Sequence, residues 1–164
     1  MISPSELWAF IQHSYAEADS QLPGGPPSRV VLPKRYTVTF NAVAAGGTQS
    51  QVLQIGANGD FFMARMSFYA TPNPVVAETF STAIIPAWRI QITDSGSDEQ
   101  FASGPVDLSN FANWTPGSND QRDEPYPRII TGRSTLNLQV FSYETVATYN
   151  VDFVLTGVLV KTFQ

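Results

Sequence analysis

The chain has 164 residues and a formal net charge of −5, and it contains one histidine and no cysteine. Its nine Lys and Arg residues are scattered, which argues against nucleic acid as a partner, because neutralising phosphates needs clustered basic side chains. The lack of cysteine excludes disulfides and thiolate metal sites, and a single histidine excludes most zinc chemistry. No apolar run approaches the roughly 18 residues of a membrane span. We therefore expect one soluble domain with no membrane partner and a core of its own.

The N-terminal residues 1–18 are predicted to form a helical arm. Ser3-Pro4-Ser5-Glu6 has capping-box spacing, with a proline at the first helical position, where its missing N–H costs nothing. Apolar residues then recur at helical spacing on one stripe, namely Leu7, Trp8, Phe10, Ile11 and Tyr15. This stripe is the candidate partner-binding surface of the arm.

Residues 19–33 are predicted to be a Pro/Gly-rich linker, because the prolines and paired glycines between residues 20 and 28 disfavour regular structure. In polyproline II conformation, that segment would carry the helix about 30 Å from the body. The apolar stripe must be buried either on its own domain or on another subunit. The reach of the linker favours the other subunit.

Residues 34–164 are predicted to form an all-β domain. Side chains alternate between apolar and polar in several segments, which is typical of antiparallel strands with one wet face. The predicted inward residues are Tyr36, Val38, Phe40, Phe62, Met66, Phe68, Trp88, Ile90, Ile92, Leu136, Leu138, Val140, Val151, Phe153 and Leu155. Long connections rich in Pro, Gly, Asn and Ser favour a jelly-roll or Greek-key sandwich of about eight strands over an up-and-down barrel.

The last strand suggests contact on both of its faces. Beyond Thr156, the face opposite the core also becomes apolar, with Val158 and Val160. We therefore expect a homo-oligomer, a dimer or trimer, whose interface includes this strand.

Catalytic, cofactor and metal sites are not indicated. The acids of Asp94–Glu99 lack the regular spacing of a calcium loop and indicate a solvated turn, and His13 has no second histidine for a catalytic triad. We therefore predict a protein that is not an enzyme and holds no metal or cofactor. The acidic segment 94–124 is either a solvated loop region or a docking surface, and Phe111, Trp114 and Tyr126 leave open a carbohydrate-binding function through aromatic stacking.

A series of short motifs runs in order through the β domain. It comprises Asp60-Phe61-Phe62, Tyr69-Ala70-Thr71, Phe80, Ile90–Ser95, Gly104-Pro105-Val106, Glu124–Pro127, Ser134–Leu138 and Asn150–Gly157. In this order the chain resembles the small β-sandwich proteins encoded near the major capsid gene of many tailed bacteriophages, the head decoration or cement proteins. The resemblance covers about 100 residues and rests on the order of the motifs, because each motif alone is weak.

The resemblance implies a jelly-roll-like virion protein that is made in the host cytoplasm and located on the capsid exterior. Its partner would be the lattice of the major capsid protein, to which it would bind as an oligomer that cross-links neighbouring capsomers. It implies no catalytic residues. The runner-up function is a carbohydrate- or receptor-binding module of a phage fibre or tail. The arm and linker lie outside the resemblance.

Overall fold

A computed structural model describes residues 3–24, 27–73, 87–111 and 122–163. The elements in chain order are α1 (Pro4–Ser20), β1 (Ser28–Val43), β2 (Thr48–Gln54), β3 (Asp60–Pro72), β4 (Trp88–Asp94), β5 (Glu99–Gln100), β6 (Val106–Asp107), α2 (Leu108–Phe111), β7 (Arg122–Ile130), β8 (Thr135–Ser142) and β9 (Tyr149–Phe163). No helix within these ranges is long and apolar enough to cross a membrane.

The strands form two antiparallel sheets. The first, sheet A, has the order β1-β9-β3-β7, and the second, sheet B, has the order β2-β8-β4-β5 with β6 also paired to β4. The pairing is nested: β1 pairs with β9, β2 with β8 and β3 with β7. These pairs alternate between the two sheets, so the paired chain is wound around the core in two layers. This is the winding of a jelly roll, so the predicted all-β sandwich is confirmed.

The core fills the space between the two sheets. Period-two alternation places every second side chain of the long strands inside, and the fully buried members include Phe40, Trp88, Ile90, Leu138 and Phe153. Of the fifteen residues predicted to point inward, all but Phe62 lie in this core or against it.

Phe62 lies on the opposite face of sheet A because strand β3 contains a bulge. Met63 is paired with Gly157 and Arg65 with Thr156, so Ala64 is an extra residue on β3. An extra residue reverses which side chains point inward. Phe61 and Met63 therefore enter the core, whereas Phe62 points to the outer face of the sheet.

The helix starts as predicted and ends slightly later. The Ser3 hydroxyl accepts a hydrogen bond from the Glu6 N–H at 3.2 Å, and the Glu6 carboxylate accepts one from the Ser3 N–H at 2.7 Å. The pKa of Glu6 is lowered, because hydrogen bonding of its carboxylate to the Ser3 side chain and to the Ser3 backbone N–H favours the ionised form.

The connection between helix α1 and strand β1 is shorter at both ends than the predicted linker 19–33. Helix α1 continues to Ser20, and β1 already begins at Ser28, which leaves only residues 21–27 between them. Pro33 is compatible with a strand, because β1 is an edge strand of sheet A and pairs with only one strand, β9, among those described.

Candidate partner-binding surface

Helix α1 lies on the outer face of sheet A and is not carried away from the body. Ile11 is 1% exposed and forms a cluster with Phe62 and Val160. Five partly buried side chains surround this cluster, namely Leu7, Phe10, Tyr15, Val31 and Val158. We call this contact the helix–sheet seam. The expectation that the stripe would be buried on another subunit is wrong for this structure, because the short connection returns the helix to its own sheet.

The seam brings together two surfaces that the sequence treated separately. The apolar stripe of α1 and the apolar outer face of β9 at Val158 and Val160 cover one another within one chain. Six of the seven predicted site residues belong to the seam, and Trp8 is the exception, at 42% exposed. His13 is exposed on the same helix.

Val31 and Phe62 are the two seam residues that sequence reasoning missed, and Phe62 is the fully buried one. Its ring meets Phe10 edge to face, with centroids 6.1 Å apart, and lies 5.9 Å from the ring of Tyr15. The available signal was Phe61-Phe62-Met63, since three consecutive large apolar residues are typical of a strand covered on both faces.

Polar contacts fasten the C-terminal half of α1 to the sheet. The Tyr15 hydroxyl donates a 2.5 Å hydrogen bond to Asp60, whose other oxygen accepts from the Gly132 N–H at 2.9 Å. The Arg29 guanidinium lies 4.1 Å from the Tyr15 ring centroid and forms a bidentate ion pair with Asp19. Together these contacts tie the helix to β1, to β3 and to the turn before β8.

The ionisable groups of this cluster stabilise one another in the protonation states that they have at neutral pH. Burial and the hydrogen bond to Asp60 raise the pKa of the Tyr15 phenol, so the hydroxyl stays a neutral donor over the physiological range. The hydrogen bond from Arg29 lowers the pKa of Asp19, and the same bond raises the pKa of Arg29. The ion pair between the two ends of the connection therefore persists at neutral pH.

A second apolar surface is left uncovered at one end of the sandwich. In the β1–β9 register, Val30 and Leu32 share a sheet face with Phe163, and Leu22 lines the same cleft as Phe163. These four side chains are between 40% and 52% exposed. We call them the apolar end patch. The cleft that Leu22 and Phe163 line has a volume of about 700 Å³ and is also lined by Tyr15, Pro23 and Pro27.

The outer face of sheet B is polar but uncharged over a shallow groove of about 340 Å³. Its lining side chains carry amides and hydroxyls, namely Ser50, Gln91, Thr93, Asn137 and Gln139. Such groups donate and accept hydrogen bonds without attracting ions.

The acidic segment after β4 forms a structural turn at its start. Asp94 is buried and accepts hydrogen bonds from the Gly96 N–H at 2.9 Å and the Ser97 hydroxyl at 3.0 Å. Within the described parts of the chain, no three His, Asp or Glu side chains are grouped so as to hold a metal ion. Of the aromatic residues proposed for sugar stacking, residue 114 and the side chains of residues 111 and 126 lie outside the description.

Comparisons with known proteins do not assign the chain to a family. No protein-family model and no curated protein matches the chain. Among solved structures, the decameric BFDV capsid protein is similar with a TM-score of 0.31 and 8% sequence identity, over 84% of this chain and 99% of that chain. A TM-score of this size does not establish a shared fold or a shared function.

Proposed function

We propose that the protein is a structural, non-enzymatic virion protein that binds the exterior of a bacteriophage capsid as a homo-oligomer and cross-links neighbouring capsomers. Support comes from the resemblance of its ordered motifs to head decoration proteins. The jelly-roll winding is consistent with this role, because capsid proteins and their accessories use that architecture, although lectins use it as well.

The observation that carries the proposal is the apolar end patch. Val30, Leu32 and Phe163 are exposed on one face of sheet A, and Phe163 lines a cleft with Leu22, whereas most large apolar side chains of the described chain are buried in the core or in the helix–sheet seam. Clustered apolar exposure of this kind marks interaction surfaces on soluble proteins. In this role helix α1 helps to shape the cleft, because Tyr15 and Asp19 form one wall of it.

Cross-linking would work by multivalency. A single small apolar patch binds weakly, because association costs translational and rotational freedom. In an oligomer, however, binding of one patch holds the others near the lattice, so each later contact is effectively intramolecular. The oligomer then spans neighbouring capsomers and resists their separation.

Under this proposal a major capsid protein is encoded near the gene, and the test is binding to capsids assembled from that protein. Leu32→Lys places a charge in the patch, and Val146→Lys is the matched control, because Val146 is 90% exposed in a different part of the chain. We expect Leu32→Lys to lower the affinity in co-sedimentation at least about tenfold and the control to bind like the unmodified protein. Equal binding by all three proteins, or no binding by the unmodified protein, would refute the proposal.

Carbohydrate or receptor binding is the second candidate, favoured by the uncharged groove on sheet B. Amide and hydroxyl groups recognise sugar hydroxyls, and the groove volume lies within the range of small-ligand sites. A glycan array compared between the unmodified protein and the variant Asn137→Ala, Gln139→Ala tests it. Specific glycan binding that the variant loses would favour this function over capsid attachment.

A further inference from the structure

Three of the four strand edges in the two sheets are protected against pairing with another chain. β1 carries Pro33-Lys34-Arg35, β7 contains two prolines and three charged residues within residues 122–127, and the edge formed by β5 and β6 consists of strands of two residues each. Proline, charge and short length are the means by which native sheets block an edge. The fourth edge, β2, has none of these protections.

Strand β2 is seven residues long, with the sequence TQSQVLQ, and contains no charge, proline or glycine. Val52 in its middle is 63% exposed. A segment of this composition with a free edge is a template for adding another strand. The strand is also held in place, because the Gln49 side chain donates a 2.9 Å hydrogen bond to the Asn41 carbonyl.

The hydrogen bonds that bracket β2 define which of its backbone groups are free. The Ile55 N–H donates to the Ser134 carbonyl, and the Ser142 N–H donates to the Gly47 carbonyl, both at 2.9 Å. In an antiparallel ladder every second residue bonds to the same neighbour, so the odd-numbered residues of β2 bond to β8. The even-numbered residues Thr48, Ser50, Val52 and Gln54 then direct their N–H and C=O groups to the open edge, where no described residue bonds to them.

We propose that β2 pairs antiparallel with β2 of a second copy of this chain, across a two-fold axis through Gln51. In this register Thr48 lies opposite Gln54 of the partner copy and Ser50 lies opposite its Val52. All four outward-facing residues of each copy therefore form backbone hydrogen bonds with the partner copy. Sheet B then becomes one continuous sheet across both subunits. No other register uses all four.

Electrostatics favours a second copy as the occupant. Each chain carries a net charge of −5, so copies repel one another over most of their surface. The edge of β2 and the adjoining outer face at Asn137 and Gln139 are uncharged. Two copies can therefore approach there without opposing like charges, and a strand that meets itself antiparallel is self-complementary by symmetry.

This inference deepens the oligomer part of the proposed function, but it does not depend on capsid binding. It also relocates the interface. The β9 surface that the sequence indicated for oligomer contacts is covered by α1 at Val158 and Val160, whereas no strand in the described ranges pairs with the outer edge of β2.

Disulfide trapping tests the register directly, because the chain has no cysteine of its own. Gln51 lies opposite its symmetry mate as a non-hydrogen-bonded pair, with an expected Cα separation of about 4.5 Å, which suits a disulfide. We expect Gln51→Cys to form a cross-linked dimer under mild oxidation at least about ten times faster than the exposed control Val146→Cys, because pairing raises the effective thiol concentration. Equal rates for the two variants would overturn the proposed register.

Mass measurements by light scattering test the interface itself. As its concentration is raised to about 300 µM, the unmodified protein should reach twice the 17.9 kDa chain mass. Val52→Lys adds a charge to the edge, and Val52→Pro removes an outward N–H that β8 does not use, so both should be monomers with unchanged circular dichroism. Val146→Lys should remain a dimer. A monomeric unmodified protein, or a dimeric Val52→Lys, would overturn the inference.

Capsid co-sedimentation of Val52→Lys separates this inference from the proposed function. If Val52→Lys is a monomer and its capsid affinity falls through lost avidity, both the β2 interface and the capsid-binding function are supported. If the unmodified dimer forms through β2 but no form binds capsids, the function is wrong and the interface is right. If capsids are bound and Val52→Lys is still a dimer, the interface is wrong and the function stands.

Discussion

Replacing Ile11 with alanine is expected to loosen the helix–sheet seam. Among the helix residues whose burial the structure describes, only Ile11 is fully buried there, at 1% exposed, and its side chain packs in a cluster with Phe62 and Val160. Truncation leaves a cavity lined by these two residues. Removing a buried Ile in this way costs about 2–5 kcal/mol of unfolding free energy.

We expect the loss of unfolding free energy for Ile11→Ala to lie near the lower end of that range, because Ile11 is in the helix–sheet seam. It is a single layer of side chains at the surface, where neighbours can collapse into the space, and alanine returns about 0.4 kcal/mol through its better helix propensity. We expect a loss of about 2–3 kcal/mol. For a chain of this length, that corresponds to a melting temperature lower by about 5–10 °C.

Thermal and urea unfolding, followed by far-UV circular dichroism, measure this loss. Trp8→Ala is the control on the same helix, because Trp8 is 42% exposed and lies outside the seam, so its truncation should cost less than about 1 kcal/mol. Chymotrypsin cleavage within α1 reports undocking of the helix alone and should accelerate in Ile11→Ala only. If both variants unfold and are cleaved like the unmodified protein, α1 does not rest on sheet A.

Two further substitutions test the bulge and the polar contacts. A Cβ at Gly157 would overlap the Phe62 carbonyl oxygen and lie 3.0 Å from the Met63 Cα, so Gly157→Ala should lose about 3 kcal/mol in urea unfolding. Gly104→Ala, whose added Cβ meets nothing within 4 Å, should be nearly neutral, and equal effects would contradict the close approach. Tyr15→Phe removes the hydrogen bond to Asp60 and should cost about 1 kcal/mol at neutral pH. Because the folded-state pKa of Tyr15 is raised, the advantage of the unmodified protein should be full below the ordinary phenol pKa of about 10 and shrink above it. A pH-independent difference would show that Tyr15 is not held by this bond.

The long alternating strands could be predicted from the sequence because alternation is a local property, whereas β7, which begins at Arg122 in the segment predicted to be a loop or a docking surface, could not. Val38, Ile90, Leu138 and Phe153 each belong to a run in which every second residue is apolar, and a one-residue shift would expose the whole run. The register of such strands is therefore determined by the residues themselves. The helix start was predictable for the same reason, since all the atoms of the Ser3–Glu6 capping box lie within four residues.

The position of the helix could not be predicted, because it depends on a non-local event. Whether Phe62 faces the core or the helix is decided by the single extra residue at Ala64, and a bulge leaves no strong mark in the residues that form it. Without Phe62 on the outer face, Val158 and Val160 alone indicate a contact between subunits, which leaves the stripe of α1 without an assigned place on its own chain. A distant subunit was then the simplest place to bury it.

Closure of the helix on its own sheet changes how an oligomer can form. While α1 covers Val160, the outer face of β9 contacts another copy only if the helix undocks and the Arg29–Asp19 and Tyr15–Asp60 contacts are broken. An exchanged helix would restore the same contacts in the partner, so exchange gains no new interactions in the seam itself. Pairing through β2 adds backbone hydrogen bonds and breaks no contact within the described chain. The open edge is therefore the less costly route to a dimer, and the helix stabilises each subunit that the dimer joins.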